Sequence, residues 1–547
     1  MKNCLFVLGA LALLLPIATR ADATADHFAA LTAAARAANE QAVPAVPGKF
    51  SADWTSLGQY QCPAWFRDAK FGIWAHWGPQ CQPEQGDWYA RNLYSPTNRS
   101  GKPEHDYTWQ IAHYGHPSQA GFKEVIHEWR AQNWDPEKLV RLYRRAGAQY
   151  FMAMGNHHDN FDNWDSTYQP WNAVNLGPRQ DLLAGWSKAA RDNGLHFGVS
   201  IHAARSWSWY EVAQKSDPAG PLAGVPYDGK LTAADGPGKW WNGLDPQDLY
   251  AQNHPVGAKP SEAYGRKFYN RIMDMVTKYQ PDLIYFDDSG LPLGNWGLRF
   301  TANFYNLNLQ WHHGDEQAVV NAKNLSPTQR QCLVMDIERG KSADILPQPW
   351  QTDTCIGQWH YNRGIYEHHN YKKAAQIIPL LIDVVSKNGN LMLNIPVRAD
   401  GTIDDDEIAV LNDLAAWTAV NGPAVYATRP WKIYGEGPST VNLGPKGNFG
   451  GLKDVDNQPY TGQDLRFTVT PDGQTLYAFL LGWPADGQVV IPSLADGSPL
   501  EPREIAEVKL LGAPQAPAYV RDHTGLHVTL PATQPCATAW ALAVKFR

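Results

Sequence analysis

Polar residues crowd at the ends of a series of short apolar runs, and their types suit hydrolysis or the holding of sugar hydroxyls. His76 closes FGIWAHW and is followed by Asp87, Trp88 and Tyr89; Asn156, His157, His158 and Asp159 close YFMAMG; His202 closes HFGVSIH. Asp287 and Asp288 close LIYFDD, Lys323 follows VVNA, Glu338 and Arg339 close LVMDI, and Trp359 to Tyr361 fall in QWHY. Two carboxyl groups facing each other across a site can displace at an anomeric carbon, one attacking while the other protonates the leaving oxygen. A strand alternates faces, so Tyr285 and Asp287 share one face and Phe286 and Asp288 the other, and a single member of the aspartate pair reaches the site. Glu338 is the candidate for the second carboxyl. An acid after a strand is more often a helix cap or an ion-pair partner, so the crowding carries this reading rather than any one residue. His157, His158 and Asp159 are also metal-ligand types. Neighbours on a regular strand diverge, however, and no HxH or HExxH spacing is present, so hydrogen bonding to hydroxyl groups is expected and no metal or other cofactor is. Among the 23 tryptophans, Trp88 and Trp359 lie beside these polar groups and are expected to face a sugar; Trp207, Trp209, Trp240, Trp241 and Trp350 are read as core. The residues alone point to a carbohydrate-active or metal-dependent hydrolase.

The elements that must position these groups follow from the spacing. About eight apolar runs of strand length, at 71, 150, 196, 283, 319, 333, 358 and 390, alternate with segments of helical period, the pattern of an α/β chain. Asp135-Pro136-Glu137 supplies an N-cap, a proline and a first-turn acid before KLVRLYRRAGA, and Ser261 precedes EAYGRKFYNRIMDMVTKY. No helical pattern follows the fifth, sixth or seventh run. The expected architecture is an irregular (β/α)8-like barrel, whose reacting groups sit where strands end. After Trp431 the pattern changes to short alternating runs such as RFTVT, TLYAFLL, QVVIP, AEVKLLG, LHVTL and TAWALAVKF, the signature of an antiparallel β-sandwich. The expected division is a barrel domain over 24–435 and a sandwich domain over 436–547, with a Gly-, Pro- and Asn-rich stretch at 436–464. The insertion at 205–260 is too long to be idle and is expected to cover the site.

A chain of 547 residues exceeds the usual span of one core, and a net charge of −7 leaves no basic field for nucleic acid. Lys2, the run LFVLGALALLLPIA and Ala21-Asp22-Ala23 form a secretory signal over 1–23, with cleavage expected after Ala23 and a secreted or periplasmic product. No later stretch reaches the roughly 20 apolar residues of a membrane span. Cys62 with Cys81 and Cys332 with Cys355 are bridge candidates by proximity, and buried thiols are the alternative.

Several stretches are long enough to be diagnostic: WFRDAKFGIWAHWGP at 65, DWYARNLY at 87, HHDNFDNWDS at 157, GPRQDLLAGWSKAARDNGLHFGVSIH at 177, PDLIYFDD at 281, ERG at 338, SKNGNLMLNIPVRADGTID at 386 and AVNGPAVYATRPW at 419. Together they resemble the α-L-fucosidases of glycoside hydrolase family 29 across the whole expected barrel. The resemblance implies a retaining exo-acting enzyme that removes terminal α-L-fucose from an oligosaccharide or glycoconjugate. It implies Asp287 as nucleophile, with His76, His157 and His158 on fucose hydroxyls, Trp88 as the tryptophan of the family's Glu-Trp-Tyr, and Glu338 as acid/base with Asp87 as its rival. Asp87 stands where the family has glutamate, one methylene shorter. His202 stands where the family's third strand often ends in tyrosines, Tyr285 where it often has tryptophan, and Lys323 near a family arginine. A lysine offers a point charge where arginine offers a fork. The two carboxyl groups are expected roughly 5 Å apart, the retaining spacing. Alternative readings are a retaining glycosidase for another sugar, such as an α-L-galactoside, a non-catalytic sugar-binding protein, or a metal-dependent hydrolase.

Overall fold

The computed structural model describes residues 18–439 and 460–547. Eight parallel strands close into a barrel in chain order: β1 (Phe71–Ala75), β2 (Tyr150–Asn156), β3 (His196–Ile201), β4 (Leu283–Ser289), β5 (Val319–Lys323), β6 (Val334–Asp336), β7 (Trp350–Cys355) and β8 (Gly389–Asn394). β2 and β8 are buried at every position, as strands covered on both faces must be, and this is why they read as unbroken apolar runs. The capping expectations hold. Asp135 accepts from Lys138 N at 2.9 Å to start helix Pro136–Arg145, and Ser261 accepts from Tyr264 N at 3.1 Å to start helix Glu262–Tyr279.

Two expectations on the irregular side need correction. The seventh strand is Trp350–Cys355, not the run at 358; Trp359 and His360 lie in the loop that follows it. Its inward residues Gln351 and Asp353 bond Tyr150, Asp336 and Tyr285 across the barrel, so the strand carries polar side chains where an apolar run was sought. A helix does follow it, Ala374–Ser386. That helix is apolar around nearly its whole girth and contains Pro379, so it has no polar stripe to mark its period. After β5 only a 3-10 turn, Gln329–Gln331, is formed, in keeping with the expected irregularity.

The C-terminal strands form two antiparallel sheets. β9 (Arg429–Glu436), β10 (Leu465–Val469), β11 (Thr475–Leu480), β13 (Ile505–Leu510) and β16 (Trp540–Phe546) make one, in the order β13-β16-β11-β10-β9. β12 (Gln488–Ile491), β15 (Gly525–Thr529) and β14 (Ala518–Asp522) make the other. Trp431, Phe467, Leu480, Ile491, Val528 and Leu542 belong to the core between them. The sandwich packs on the barrel's helices: Trp417 Nε1 donates to Ala539 O at 2.9 Å, and Arg466 and Lys387 share the buried carboxylate of Asp383. β9 straddles the expected boundary at 435/436, and most of the Gly-rich stretch at 436–464 lies outside the described residues.

Most of the expected signal segment also lies outside the described residues. Helix Ala18–Ala38 spans the expected cleavage point, and it packs through Phe28, Thr32, Ala35 and Arg36, all downstream of Ala23. Among the described residues no helix is long and apolar enough to cross a membrane. The five cysteines at 62, 81, 332, 355 and 536 are all unbridged, so neither candidate disulfide forms. Burial pushes the Cys81 and Cys355 thiols up to about 12, as expected of inert packing groups.

Candidate active site

The site is assembled at the C-terminal mouth of the barrel. β4 and β5 pair in register through Tyr285↔Asn321, but the next partners are Ser289↔Lys323, so β4 bulges between them. A bulge re-aims side chains. Phe286 packs outward on Phe268 and Phe300, Tyr285 and Asp287 point inward, and Asp288 turns to Arg205 Nε at 3.1 Å. Face alternation therefore separates the two aspartates as expected.

Asp287 is held from three strands. Its Oδ2 lies 3.1 Å from His158 Nε2 and 3.3 Å from His202 Nδ1, and its Oδ1 lies 2.5 Å from Lys323 Nζ. The same ammonium lies 2.5 Å from Glu338 Oε2. Two contacts of 2.5 Å to one nitrogen place these carboxylate oxygens no farther apart than twice that distance. Burial by itself raises the Asp287 carboxyl, but Lys323 and the hydrogen bonds from His158 and His202 outweigh it and hold the group well below the ordinary 3.8. Glu338 is steadied by its neighbours, since Ile337 N and Arg339 N donate to Gln351 O and Asp353 O, each at 2.9 Å, and extend the β6–β7 ladder.

Beneath Lys323 lies a second pair of acids. Tyr285 is fully buried and donates its hydroxyl to Asp353 Oδ2 at 2.7 Å, while Gln351 Nε2 donates to Asp336 Oδ1 at 2.9 Å. Burial and mutual repulsion raise Asp336 well above the carboxylate range, and burial raises Asp353 to about 7. Burial acts the other way on Lys323, but the four surrounding carboxyls at 287, 338, 353 and 336 keep its ammonium charged.

The remaining candidates form one wall. His76, His157, His158, His202 and His360 are buried with neighbouring ring centroids 4.5–5.6 Å apart. Burial holds His76 and His157 well below 6.5 and His202 at about 4, so these imidazoles are neutral. Gln80 Nε2 lies 2.5 Å from His157 Nδ1, and His158 Nδ1 lies 2.8 Å from His202 O. Trp359 stands 5.4 Å from Trp74 and 5.9 Å from His76, centroid to centroid, with the Arg339 guanidinium 4.8 Å over its ring. Trp88 adopts a left-handed φ of +66° and meets Trp209 edge to face at 6.5 Å. Asp87 Oδ1 accepts from His360 N at 2.8 Å. The structure thus ties Glu338 to Asp287 through Lys323, whereas Asp87 is bonded to the loop after β7.

His157 and His158 follow the end of β2, so strand alternation does not separate them, contrary to expectation. Two groups, His76-His157-His360 and His157-His158-His202, each bring their ligand atoms within 4.8 Å of one another and could hold a metal. Reasoning from sequence passed over His360 and Trp209. Trp209, read as core, packs on both His157 and His158 at 5.9 and 5.6 Å. His360 was hidden by the reading of QWHY as a strand, although a histidine beside Trp359 was signal enough to flag it.

Comparison with known proteins identifies the family. The Alpha-L-fucosidase family model matches residues 37–423, and the Alpha-L-fucosidase C-terminal domain matches residues 457–545. The chain is 26% identical to the human plasma alpha-L-fucosidase over 91% of this chain and 92% of that one, and 25% identical to the human tissue enzyme over the same shares. The Thermotoga maritima alpha-fucosidase solved with fucose superposes with a TM-score of 0.65 at 22% identity, covering 90% of this chain and all of the other. A GH29 alpha-L-fucosidase from Bacteroides thetaiotaomicron superposes at 0.60 with 16% identity, covering 93% and 98%. With most of its length matched by the family model, the chain belongs to the α-L-fucosidase family of glycoside hydrolases.

Proposed function

We propose that the protein is an exo-acting, retaining α-L-fucosidase that releases terminal α-L-fucose from oligosaccharides or glycoconjugates. The observation that carries the reading is the shared ammonium of Lys323, 2.5 Å from an oxygen of Asp287 and 2.5 Å from one of Glu338, which keeps the two carboxyl groups as near neighbours, as the roughly 5 Å spacing of retaining glycosidases requires. In the first step an Asp287 oxygen attacks C1 of fucose while Glu338 gives its proton to the departing glycosidic oxygen. In the second, the Glu338 carboxylate takes a proton from water, the water oxygen attacks C1, and the C1–Oδ bond breaks to restore Asp287. Two inversions give net retention.

The neutral imidazoles of His76, His157 and His202 suit the rest of the site because each offers one donor and one acceptor, the pairing a sugar hydroxyl needs. His76, His157, His158 and His202 hold fucose hydroxyls in this reading, with Asp87, Trp88 and Trp359 around the rim and Tyr285 as the floor that steadies Asp353. The protein is exported, with its signal removed after Ala23; the contacts of helix Ala18–Ala38 downstream of that point survive such a cut.

The test is aryl release from an aryl α-L-fucoside by wild type, chelator-treated wild type and Asp287→Gly, with the first-formed fucose anomer followed by NMR. Expected are turnover with α-fucose appearing first, no effect of chelator, and a loss of at least about 10³-fold in the variant. β-Fucose appearing first would sink the retaining mechanism. Near-normal Asp287→Gly would remove the nucleophile assignment, and loss of activity to chelator would move the imidazoles from hydroxyl binding to metal binding.

A further inference from the structure

The loop that carries Glu338 runs from Ile337, after β6, to Pro349, before β7, and its two limbs are held by different parts of the molecule. The near limb is held by β7: Thr352 Oγ1 lies 2.8 Å from Ile337 O and 2.9 Å from Gly340 O, and Arg339 N donates to Asp353 O. Arg339 then takes a left-handed φ of +47°, and Gly340 N folds back to Ile337 O at 3.1 Å, which turns the chain off the ladder. The far limb is held by the link between helix Ala374–Ser386 and β8. Lys387 Nζ donates to Ser342 O at 3.0 Å, Leu346 N donates to Lys387 O at 3.3 Å, and Asn388 Nδ2 donates to Leu346 O at 2.9 Å. We propose that the C-terminal sandwich positions the general acid: Arg466 of β10, acting through Asp383 and Lys387, sets the loop that carries Glu338. The proposal rests on the fucosidase reading with Glu338 as its acid.

Two observations carry it. First, the chain of contacts is continuous and buried. Arg466 Nε donates to Asp383 Oδ1 at 2.7 Å, and Lys387 Nζ donates to the two oxygens of the same carboxylate at 3.0 and 2.9 Å. An ammonium has three donors, and the third is the one on Ser342 O. Arg466, Asp383 and Lys387 are each no more than 2% exposed. The sandwich is shaped for this reach. The Tyr434 ring of β9 lies 4.6 Å from Lys387 Nζ and 5.4 Å from Arg466 Cζ, and Gly435, which pairs with Arg466 in register, leaves its side chain room to cross β9. A Cβ at Gly435 would lie 2.8 Å from Arg466 Cδ.

Second, the charges do not balance within the group. One carboxylate faces two cations. Burial raises the Asp383 carboxyl, but Lys387 and Arg466 outweigh it and hold the group below 3.8. Burial also holds the Lys387 ammonium below 10.5 in spite of Asp383, with Arg466 and Lys341 adding to the effect. A single cation would match Asp383, and a further buried charge is costly. What the pair achieves together is reach: Arg466 fixes the carboxylate from the sandwich, and Lys387 extends that hold to the carbonyl of Ser342. Proton transfer needs Glu338 within hydrogen-bond distance of the leaving oxygen, and a misplacement of about 1 Å can cost about 10²-fold.

The test uses the full chain as wild type, Arg466→Met, Lys387→Met and the charge-keeping Arg466→Lys. Either methionine variant leaves Asp383 matched to one cation, so each is expected to fold. For each, kcat/KM is measured on two aryl α-L-fucosides, one with a good and one with a poor leaving group, and amide hydrogen exchange is followed over residues 339–346. Expected in the methionine variants are a loss of roughly 10- to 100-fold on the poor leaving group, a loss under about threefold on the good one, and faster exchange in the loop, with Arg466→Lys recovering most of all three. Equal losses on both substrates, as a merely structural role would give, or unchanged loop exchange would overturn the positioning role and leave the fucosidase reading intact. A wild type inactive on both substrates would sink the fucosidase reading, and exchange alone would then decide whether Arg466 holds the loop. If one methionine variant fails to fold, the other decides.

Discussion

Replacing Lys323 with methionine removes one positive charge while keeping most of the side chain's volume. The ammonium lies 2.5 Å from an oxygen of Asp287 and 2.5 Å from one of Glu338. Burial favours protonated Asp287, and it is Lys323, ahead of His158 and His202, that reverses this. An opposite charge so close lowers a carboxyl by about 1–3 pH units, so its loss raises Asp287 by a comparable amount. The nucleophile must be ionised to attack. The acidic limb of the kcat/KM profile should therefore move up by about 1–3 pH units, and activity should recover as pH rises past the new limb. Below that limb each unit is a tenfold loss, so at acidic pH the variant should fall about 10- to 1,000-fold under wild type. The assay is aryl α-L-fucoside hydrolysis from pH 3 to 9, with Lys323→Arg as the control that keeps the charge and should keep the limb. A methionine variant whose acidic limb stays in place while activity drops uniformly would refute the electrostatic argument and leave Lys323 a purely steric role.

Three further outcomes follow from the same contacts. Glu338→Gln should cost aryl fucosides with good leaving groups little in the first step but poor leaving groups about 10²–10⁴-fold; equal losses would pass the acid role to Asp87. Arg271 grips Asp162 at 3.0 Å through Nε and at 2.5 Å through Nη2, and reaches Asn160 Oδ1 at 2.5 Å, all in the interior beneath the His157–His158 loop. Arg271→Leu strands a buried carboxylate and should lower unfolding stability by about 3–5 kcal/mol in denaturant titration; an unchanged midpoint would mean that loop is anchored elsewhere. Asp353 is raised by burial from 3.8 to about 7, so its proton favours the folded state below 3.8 and that advantage is lost as pH climbs to about 7. Asp353→Asn carries no such proton, so the melting temperature of the variant should gain on wild type steadily from pH 4 to 7; a constant difference across that range would show that Asp353 is ionised in the fold.

The barrel was legible wherever a strand is buried on both faces, because such strands must be apolar throughout. It was illegible where strands line the polar centre. β7 reads WQTDTC because Gln351 and Asp353 serve the network under Lys323, and no search for apolar runs can find a strand whose inner face is wet chemistry. Helix Ala374–Ser386 failed for the opposite reason: it lies between the barrel and the C-terminal sheet, so it has no exposed stripe to betray its period. β14 was missed because it is an edge strand with no buried alternate residues.

The site shows the same division between what spacing carries and what only contact reveals. Strand-end position found most of its members, because a parallel barrel delivers every strand's end to one mouth. The alternation argument separated Asp287 from Asp288, and the bulge in β4 sharpened that separation. Lys323 was visible but undervalued: beside a family arginine, a lysine looked like a weaker fork for the sugar. Its weight comes from a relation no single position displays, an ammonium equidistant from two carboxylates that belong to β4 and to the end of β6. In the proposed mechanism that charge keeps Asp287 ionised for attack, while Glu338 on its other side carries the proton of the first step. A point charge therefore suits this place, since it can serve two carboxylates at once and leave the planar, bidentate contacts to other residues.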